Sequence, residues 1–203
     1  QSSRASTNQP DPFLGVPSWI TLPDSILNPT RNRLPSSVAL IGGAGDDTLY
    51  LEGNQRLYGL GGDGNDTITL AAGSNSFAVG GDGDDMIFIL SPGVDNTVFG
   101  DAGNDTIAIV DGIRLAVFGE QGNDTIEFRG GSSSYARGGV GDDTVTVSGG
   151  SDLVVSTEEG YDTINVTGGN NIVAGGGLAS DALTVRGGTN VVLLGESGTD
   201  ILR

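Results

Sequence analysis

Residues 61–70 read GGDGNDTITL, and residues 80–89 repeat the pattern nineteen positions later as GGDGDDMIFI. Each stretch begins with a glycine-rich turn that closes on an Asp, and apolar residues then alternate with other residues. The Asp recurs in steps of 19 residues, with a single step of 20. The recurring positions are Asp47, Asp66, Asp85, Asp105, Asp124, Asp143, Asp162, Asp181 and Asp200. An internal repeat of this length indicates a solenoid.

A second glycine follows most of these Asp residues by about seven positions and keeps the same period. These glycines are Gly73, Gly93, Gly112, Gly131, Gly150, Gly169 and Gly188. Each of the two series contains one step of 20, so the additional residue lies between Asp85 and Gly93. We interpret it as a one-residue bulge at a turn near Ser91 and Pro92.

Apolar residues stand two and four positions after the repeated Asp. The first column contains Leu49, Ile68, Ile87, Ile107, Ile126, Val145, Ile164, Leu183 and Leu202. The second contains Leu51, Leu70, Ile89, Ile109, Phe128, Val147, Val166 and Val185. Alternation with a period of two, together with many β-branched residues, predicts a strand whose apolar side chains point inward.

A second short strand is expected before each glycine-rich turn, for example at 76–79 and 115–118. Its inward face is ambiguous, because adjacent positions are both small or apolar. One candidate column contains Ala78, Val98, Val117, Ala136 and Val155, and the other contains Tyr58, Phe77, Tyr135 and Val154. Two strands and two turns in one repeat describe a coil that contacts only its neighbours. The predicted fold is all-β, a right-handed parallel β-solenoid of about eight to nine 19-residue coils.

The chain divides into two parts at about residue 35. Residues 1–35 show no repeat and contain six of the seven Pro residues and the only Trp, Trp19. The open end of a solenoid exposes apolar side chains and unpaired strand edges. We therefore expect an N-terminal cap or docking arm over 1–35, with a disordered leader as the alternative, and the solenoid over 36–203.

The composition excludes many kinds of active site. The chain has no Cys and no His, and all nine of its basic residues are Arg. Cysteine nucleophiles, Ser-His triads, HExxH zinc sites and Schiff-base lysines are therefore absent. The net charge of −17 argues against nucleic acid as a partner, and no apolar run is long enough to predict membrane insertion.

The glycine-rich turns read GGAGDD at 42–47, GGDGND at 61–66, GGDGDD at 80–85, GDAGND at 100–105, GEQGND at 119–124 and GGVGDD at 138–143. They resemble the repeats of the RTX family of hemolysin-type calcium-binding proteins, whose unit is G-G-x-G-x-D-x-U-x. The resemblance covers about residues 36–203. It implies that Ca²⁺ ions lie between successive turns, held by Asp carboxylates and by backbone carbonyls of the glycine-rich loops.

The resemblance also implies which residues hold the ions. The implied side-chain ligands are Asp47, Asp66, Asp85, Asp105, Asp124, Asp143, Asp162, Asp181 and Asp200. The implied backbone ligands are Gly43, Gly45, Gly62, Gly64, Gly81, Gly83, Gly103, Gly122, Gly139, Gly141 and Gly160. The turns at 157–162, 176–181 and 195–200 depart from the pattern, so their occupancy stays open. The other edge, with G-x-N at 73–75, is expected to bind no metal, which leaves one column of about five to eight Ca²⁺ ions.

Charge repulsion favours bound cations over a metal-free turn. Stacked turns place neighbouring Asp carboxylates about 4.8 Å apart. Their repulsion is about 3.5 kcal/mol at an effective dielectric constant of 20, whereas a cross-strand contact returns only about 0.2–1 kcal/mol. Nine turns leave eight gaps, and eight Ca²⁺ ions would offset 16 of the 17 net negative charges.

These observations predict a non-catalytic, calcium-dependent structural protein. The resemblance implies a protein of bacterial origin that is secreted to the medium or the cell surface, where external calcium folds it. The repeat begins with a strand of the second type at 38–41 and stops after the start of a strand of the first type at 201–203. Two such half-coils complement each other, so we expect the chain to bind itself head to tail in a filament or surface layer.

Three other functions stay open. The chain could be an adhesin spacer or a piece of a larger RTX protein. Thr follows the repeated Asp in six of nine repeats, and the T-x-T rank that this begins resembles the ice-binding face of β-solenoid antifreeze proteins, although it is interrupted by Tyr50, Met86, Phe88 and Glu127. An accessory module of a polysaccharide-active enzyme would need a non-repeating cluster of Asp, Arg and Tyr, and the Arg residues are scattered over several registers.

Overall fold

A computed structural model describes residues 37–53, 56–90 and 93–203, in which the backbone forms strands and no helix. In chain order the strands are β1 (Val38–Ala44), β2 (Thr48–Leu51), β3 (Leu57–Asp63), β4 (Thr67–Leu70), β5 (Phe77–Asp82), β6 (Met86–Ile89), β7 (Thr97–Ala102), β8 (Thr106–Ile109), β9 (Ala116–Gln121), β10 (Thr125–Phe128), β11 (Tyr135–Val140), β12 (Thr144–Val147), β13 (Ser151–Glu159), β14 (Thr163–Val166), β15 (Asn170–Leu178), β16 (Ala182–Val185), β17 (Thr189–Ser197) and β18 (Ile201–Leu202). No membrane-crossing helix is therefore present in this part of the chain. The predicted N-terminal cap and the predicted bulge at Ser91 and Pro92 both lie outside the described residues.

The strands alternate between two parallel sheets. The nine odd-numbered strands form sheet A and the nine even-numbered strands form sheet B, each in sequence order. Residues one period apart are direct neighbours, as in the pairs Thr48 with Thr67 and Thr125 with Thr144. Each coil therefore contributes one strand to each sheet. The predicted parallel β-solenoid is confirmed, and its right-handed sense stays a prediction.

The single step of 20 residues is visible in the register. Leu70 pairs with Ile89, nineteen positions away, whereas Phe77 pairs with Thr97, twenty positions away. The amide of Leu90 still donates to the carbonyl of Leu70 at 3.0 Å. The extra residue is therefore accommodated between Leu90 and Thr97, at the turn that leads from sheet B to sheet A.

Sheet B supplies most of the large core side chains. Both predicted inward columns are buried over almost their whole length, from Leu49 at 5% exposure to Leu183 at 0%. Strand β18 pairs on one side only, so Leu202 continues the first column in register but remains 47% exposed. In sheet B every second side chain therefore lies in the core, as the alternation of apolar residues predicts.

Sheet A turns its smaller side chains inward. Ala78, Val98, Val117, Ala136 and Val155 are all at most 2% exposed, which decides between the two candidate columns. The other candidates point outward: Tyr58 and Phe77 are half-buried, and Tyr135 and Val154 are exposed. The solenoid is narrow, because the large residues of sheet B face these small residues across the core.

The edge opposite the glycine-rich turns follows its own repeating geometry. One residue in each of seven successive coils has a φ between 53° and 58°, namely Asn75, Asp95, Arg114, Ser133, Asp152, Asn171 and Asn190. Asn and Asp tolerate this left-handed conformation better than other residues with a side chain, which explains the G-x-N pattern of this edge. Polar groups buried at this edge find partners: the hydroxyl oxygen of Ser76 accepts the amide of Leu57 at 2.9 Å, and the Asn96 side chain accepts the amide of Ser76 at 2.9 Å.

Phe128 and Phe118 provide a test of which sheet faces form the core. Phe128 is fully buried in sheet B, whereas Phe118 lies on the outer face of sheet A and stacks on Phe99 at 4.8 Å between ring centroids. We expect Phe128→Ala to lower the free energy of unfolding by about 3–5 kcal/mol, the usual effect of removing a buried aromatic side chain. Phe118→Ala should lower it by less, about 1–3 kcal/mol, because Phe118 makes two aromatic pairs, one with Phe99 and one with Tyr135. Urea unfolding of both variants in one buffer checks the difference, and equal losses would contradict the assignment of the core.

Candidate metal centre

Nine glycine-rich turns stack along one edge of the solenoid and join each strand of sheet A to the next strand of sheet B. Their residues are numbered here from position 1 to position 6, with the repeated Asp at position 6. The turns comprise residues 42–47, 61–66, 80–85, 100–105, 119–124, 138–143, 157–162, 176–181 and 195–200. All nine candidate Asp ligands therefore share one edge.

Positions 2 and 4 of every turn have a positive φ. The eleven glycines predicted as backbone ligands all stand at these positions, with φ from 102° to 153°. Glycine adopts such angles without strain, so the turn can aim its carbonyl groups along the solenoid axis. The turns at 157–162, 176–181 and 195–200 keep this backbone: Glu158, Ala179 and Glu196 have φ values of 75°, 76° and 69°. Their divergent sequences therefore do not change the path of the chain.

Acidic residues at position 2 add negative charge to the same edge. Asp101, Glu120, Glu158 and Glu196 occupy a position that is glycine in the other five turns. Burial and the neighbouring Asp82 raise the pKa of Asp101. None of these four residues was named from the sequence as a candidate site residue, although their shared register with a repeated glycine is the signal that could have found them.

The nine Asp side chains form a hydrogen-bonded ladder between coils. The Oδ1 atom of each Asp accepts the backbone amide of the Asp in the preceding coil, as Asp66 does from Asp47 at 2.7 Å and Asp124 does from Asp105 at 2.8 Å. The ladder continues through the divergent turns, since Asp181 accepts from Asp162 at 2.9 Å and Asp200 accepts from Asp181 at 3.0 Å. One oxygen of every carboxylate after the first is therefore committed to holding neighbouring coils together.

The second oxygen of these carboxylates has no hydrogen-bond partner. Seven buried Oδ2 atoms in the described part of the chain are unpartnered, those of Asp66, Asp85, Asp105, Asp124, Asp143, Asp162 and Asp181. Each of these Asp residues is at most 2% exposed. A buried acceptor without a partner costs about 1–3 kcal/mol, and a charged one costs more. Seven such atoms in one column therefore favour neutralisation of the carboxylates, by a bound cation or by a proton.

Burial disfavours the charged form of these carboxyl groups. Loss of solvation raises the pKa of Asp105 and Asp143 to about 7 and that of Asp85 and Asp124 to about 6. The hydrogen bond from the preceding amide opposes this rise, and repulsion from neighbouring acidic groups adds to it. The unneutralised column is therefore under electrostatic strain at neutral pH.

The free Oδ2 atoms of the repeated Asp residues point toward the glycine at position 1 of their own turn. A Cβ atom built on Gly42 would lie 2.6 Å from Oδ2 of Asp47 and also 2.6 Å from the carbonyl oxygen of Gly61 in the next coil. The same convergence of an Asp Oδ2 and the next coil's carbonyl occurs at Gly61, Gly80, Gly100 and Gly119. Five successive gaps between coils thus share a cradle of oxygens that a side chain at position 1 would fill. Sequence reasoning missed this role of position 1, although its signal was glycine in eight of the nine turns.

Carbonyls of positions 2 and 4 line the same gaps. A Cβ atom on Gly64 would lie 2.7 Å from the carbonyl oxygen of Gly45, and one on Gly62 would collide with the carbonyl oxygen of Gly43. No three His, Cys, Asp or Glu side chains converge on one point in the described residues, so most donors must come from the backbone. One carboxylate oxygen with several carbonyls is a hard, all-oxygen donor set. It fits Ca²⁺, which takes six to eight oxygen ligands, and lacks the nitrogen and sulfur ligands typical of Zn²⁺.

Comparison with known proteins agrees with this donor set. The model of the RTX calcium-binding nonapeptide repeat matches the chain in four copies, at residues 39–59, 60–77, 94–108 and 154–178. The chain carries RTX calcium-binding nonapeptide repeats. This match confirms the resemblance that was stated from the turn motifs. RTX nonapeptide repeats bind calcium. Neither the curated proteins nor the solved structures contain a match.

The raised pKa values predict how pH acts on the RTX solenoid without divalent cations. A folded-state pKa above the ordinary value of 3.8 means that the folded chain binds more protons than the unfolded chain between about pH 4 and pH 7. Stability should therefore fall as pH rises through this window. In EDTA the β signal in circular dichroism should be stronger at pH 5 than at pH 7.5. A signal that stays constant or rises with pH would contradict the electrostatic account of the Asp column.

Proposed function

We propose that this protein is a structural solenoid whose coils are held together by calcium ions bound between successive glycine-rich turns. The carboxylates of the nine repeated Asp residues act as side-chain ligands, and backbone carbonyls of positions 1, 2 and 4 complete the donor set. About five to eight ions form a single column. The observation that carries this proposal is the column of seven buried, unpartnered Asp oxygens.

The contrast between the two edges supports a single column. Buried polar groups at the opposite edge are neutral, and both atoms of the Asn96 amide have partners: its oxygen accepts the amide of Ser76, and its nitrogen donates to Gly73 at 3.3 Å. The hydroxyl of Ser134 likewise accepts the amide of Leu115 and donates to the carbonyl of Ser132. In the described chain, unpartnered buried side-chain atoms occur only in the Asp column. The edge opposite the glycine-rich turns therefore does not need a bound cation to neutralise or satisfy its buried groups.

Calcium bound in this way supplies folding energy. Each ion joins oxygens from two coils, and these oxygens come together only in the folded chain, so binding and folding are coupled. RTX-repeat proteins are typically exported, and calcium outside the cell reaches the concentrations at which weak extracellular sites fill. We therefore place the protein outside the cell, folding after export.

Asp143 and its neighbour Asp142 provide a matched test of calcium binding. Asp143→Asn keeps an oxygen for the amide of Asp124 but replaces the free Oδ2 with an amide nitrogen, which cannot bind a cation. We expect this variant to bind fewer calcium ions and to need more calcium for half-maximal β signal in circular dichroism. For an ion present at about 100 times its dissociation constant, the loss of stability is about 2.7 kcal/mol.

Asp142→Asn is the control with the same loss of charge. Asp142 is exposed, and its Oδ1 accepts the amide of Tyr161 at 2.9 Å. Asn65 and Asn123 already make the equivalent bond in other coils, at 3.0 and 2.7 Å. The control should therefore match the unsubstituted protein in calcium count and in folding midpoint. If both variants behave alike, or if the unsubstituted protein binds no calcium, the proposed function is wrong.

A second proposal is that copies of the chain join head to tail. Among residues 37–53, 56–90 and 93–203, the outermost strands each pair on one side only: β1 and β2 at one end, β17 and β18 at the other. The inward side chain of Leu202 in the last coil is 47% exposed, whereas Leu40 and Leu49 in the first coil are 8% and 5% exposed. Parallel edge strands with free backbone groups are templates for strand addition, and a head-to-tail contact propagates as a filament.

Sedimentation and electron microscopy in millimolar calcium test this second proposal. We expect fibres with an axial repeat of about 43 Å, from nine coils about 4.8 Å apart. Leu202→Arg should shorten or abolish them, because it places a charge on the edge that receives the next copy. Monomers at high protein concentration in calcium would overturn head-to-tail assembly and leave the proposed calcium binding unaffected.

A further inference from the structure

One of the nine glycine-rich turns differs from the others at position 1. This position is glycine in eight turns and is Thr157 in the turn 157–162. Thr157 is completely buried, and its hydroxyl donates to the carbonyl oxygen of Gly176 in the next coil at 2.6 Å. The Thr157 side chain therefore stands in the gap between the seventh and eighth coils.

The atoms around Thr157 correspond to those of the oxygen cradle in earlier gaps. The Gly176 carbonyl takes the place of the Gly61 carbonyl in the first gap, and the Asp162 carboxylate takes the place of the Asp47 carboxylate. In that first gap no side chain stands between the two, because position 1 is Gly42. Thr157 therefore stands where a side chain at position 1 fills the cradle, and its hydroxyl donates to the carbonyl on the far side of the gap.

We infer that Thr157 closes the gap between the turns 157–162 and 176–181 to calcium, so that its hydroxyl replaces the ion there. This inference rests on the proposed function, in which the other gaps hold ions. Ca²⁺ requires six to eight oxygens, and the buried Thr157 side chain, with its methyl group, occupies the space in which an ion would contact the Asp162 carboxylate and the Gly176 carbonyl. The column is therefore interrupted, with a run of six gaps before Thr157 and one gap after it.

The interruption changes how the last coils are held. The contact from Thr157 to Gly176 is a neutral hydrogen bond that forms without calcium. The amide of Asp162 also donates to Asp181 at 2.9 Å across the same gap. The junction between the seventh and eighth coils therefore depends on calcium less than the junctions before it.

Native mass spectrometry with calcium as the only divalent cation tests the inference by counting ions. Thr157→Gly opens the cradle and should bind one ion more than the unsubstituted chain. Thr157→Ser keeps the hydroxyl and should leave the count unchanged. Gly138→Thr is the reciprocal change and should remove one ion. The three atoms nearest to a Cβ at Gly138 all belong to the Asp143 side chain, which can move, and the φ of Gly138 is not in the left-handed region.

The number of bound ions in Thr157→Gly decides whether the gap is closed. An unchanged count in Thr157→Gly overturns the closed gap, and a lower count overturns it as well, because the hydroxyl would then be a ligand. No calcium on the unsubstituted chain overturns this inference together with the proposed function. An anomalous difference map of the unsubstituted protein grown in calcium needs no variant. It should show ions in the gaps before Thr157 and none between Asp162 and Gly176, and an ion there would refute the inference.

Discussion

The carboxylate at the end of each glycine-rich turn holds this solenoid together and also strains it. Its Oδ1 atom accepts an amide of the preceding coil, so the carboxylate must be buried where coils meet. That placement leaves Oδ2 without a partner and sets like charges about one strand spacing apart. The same residue therefore joins the coils and creates the need for a cation. A protonated carboxyl group or an amide could also accept the hydrogen bond that joins the coils, but only an ionised carboxylate also attracts a cation.

The two edges of the coil solve the same problem in different ways. Each edge must turn the chain in a few residues and satisfy the backbone groups that the turn frees. The edge with G-x-N uses neutral Ser and Asn side chains, whose hydroxyl and amide groups find partners inside the protein. The glycine-rich edge uses charged side chains and carbonyls that face along the axis. The buried polar groups of one edge are thus satisfied by hydrogen bonds alone, and those of the other would be satisfied by bound calcium.

A solenoid of this kind gains its stability from contacts between neighbouring coils. The small inward residues of sheet A and the large ones of sheet B give each coil a thin core that closes only against the next coil. In the proposed function, ions between the turns strengthen these same nearest-neighbour contacts. The closed gap that we infer at Thr157 would then divide the array into segments with different calcium dependence.

Much of this arrangement was predictable from the sequence, because a strict period places equivalent residues side by side. The 19-residue step, the inward columns beginning at Leu49 and Leu51, and the position of Asp at one edge all follow from local pattern. The inward face of sheet A did not follow, because Ala78 and Phe77 are both acceptable in a core and only packing against the large residues of sheet B selects the smaller one. The roles of Gly61 and Thr157 at position 1 also required the tertiary structure. Their partners are carbonyls of the next coil, about 19 residues away, and the direction of a carbonyl depends on the backbone angles of the folded turn.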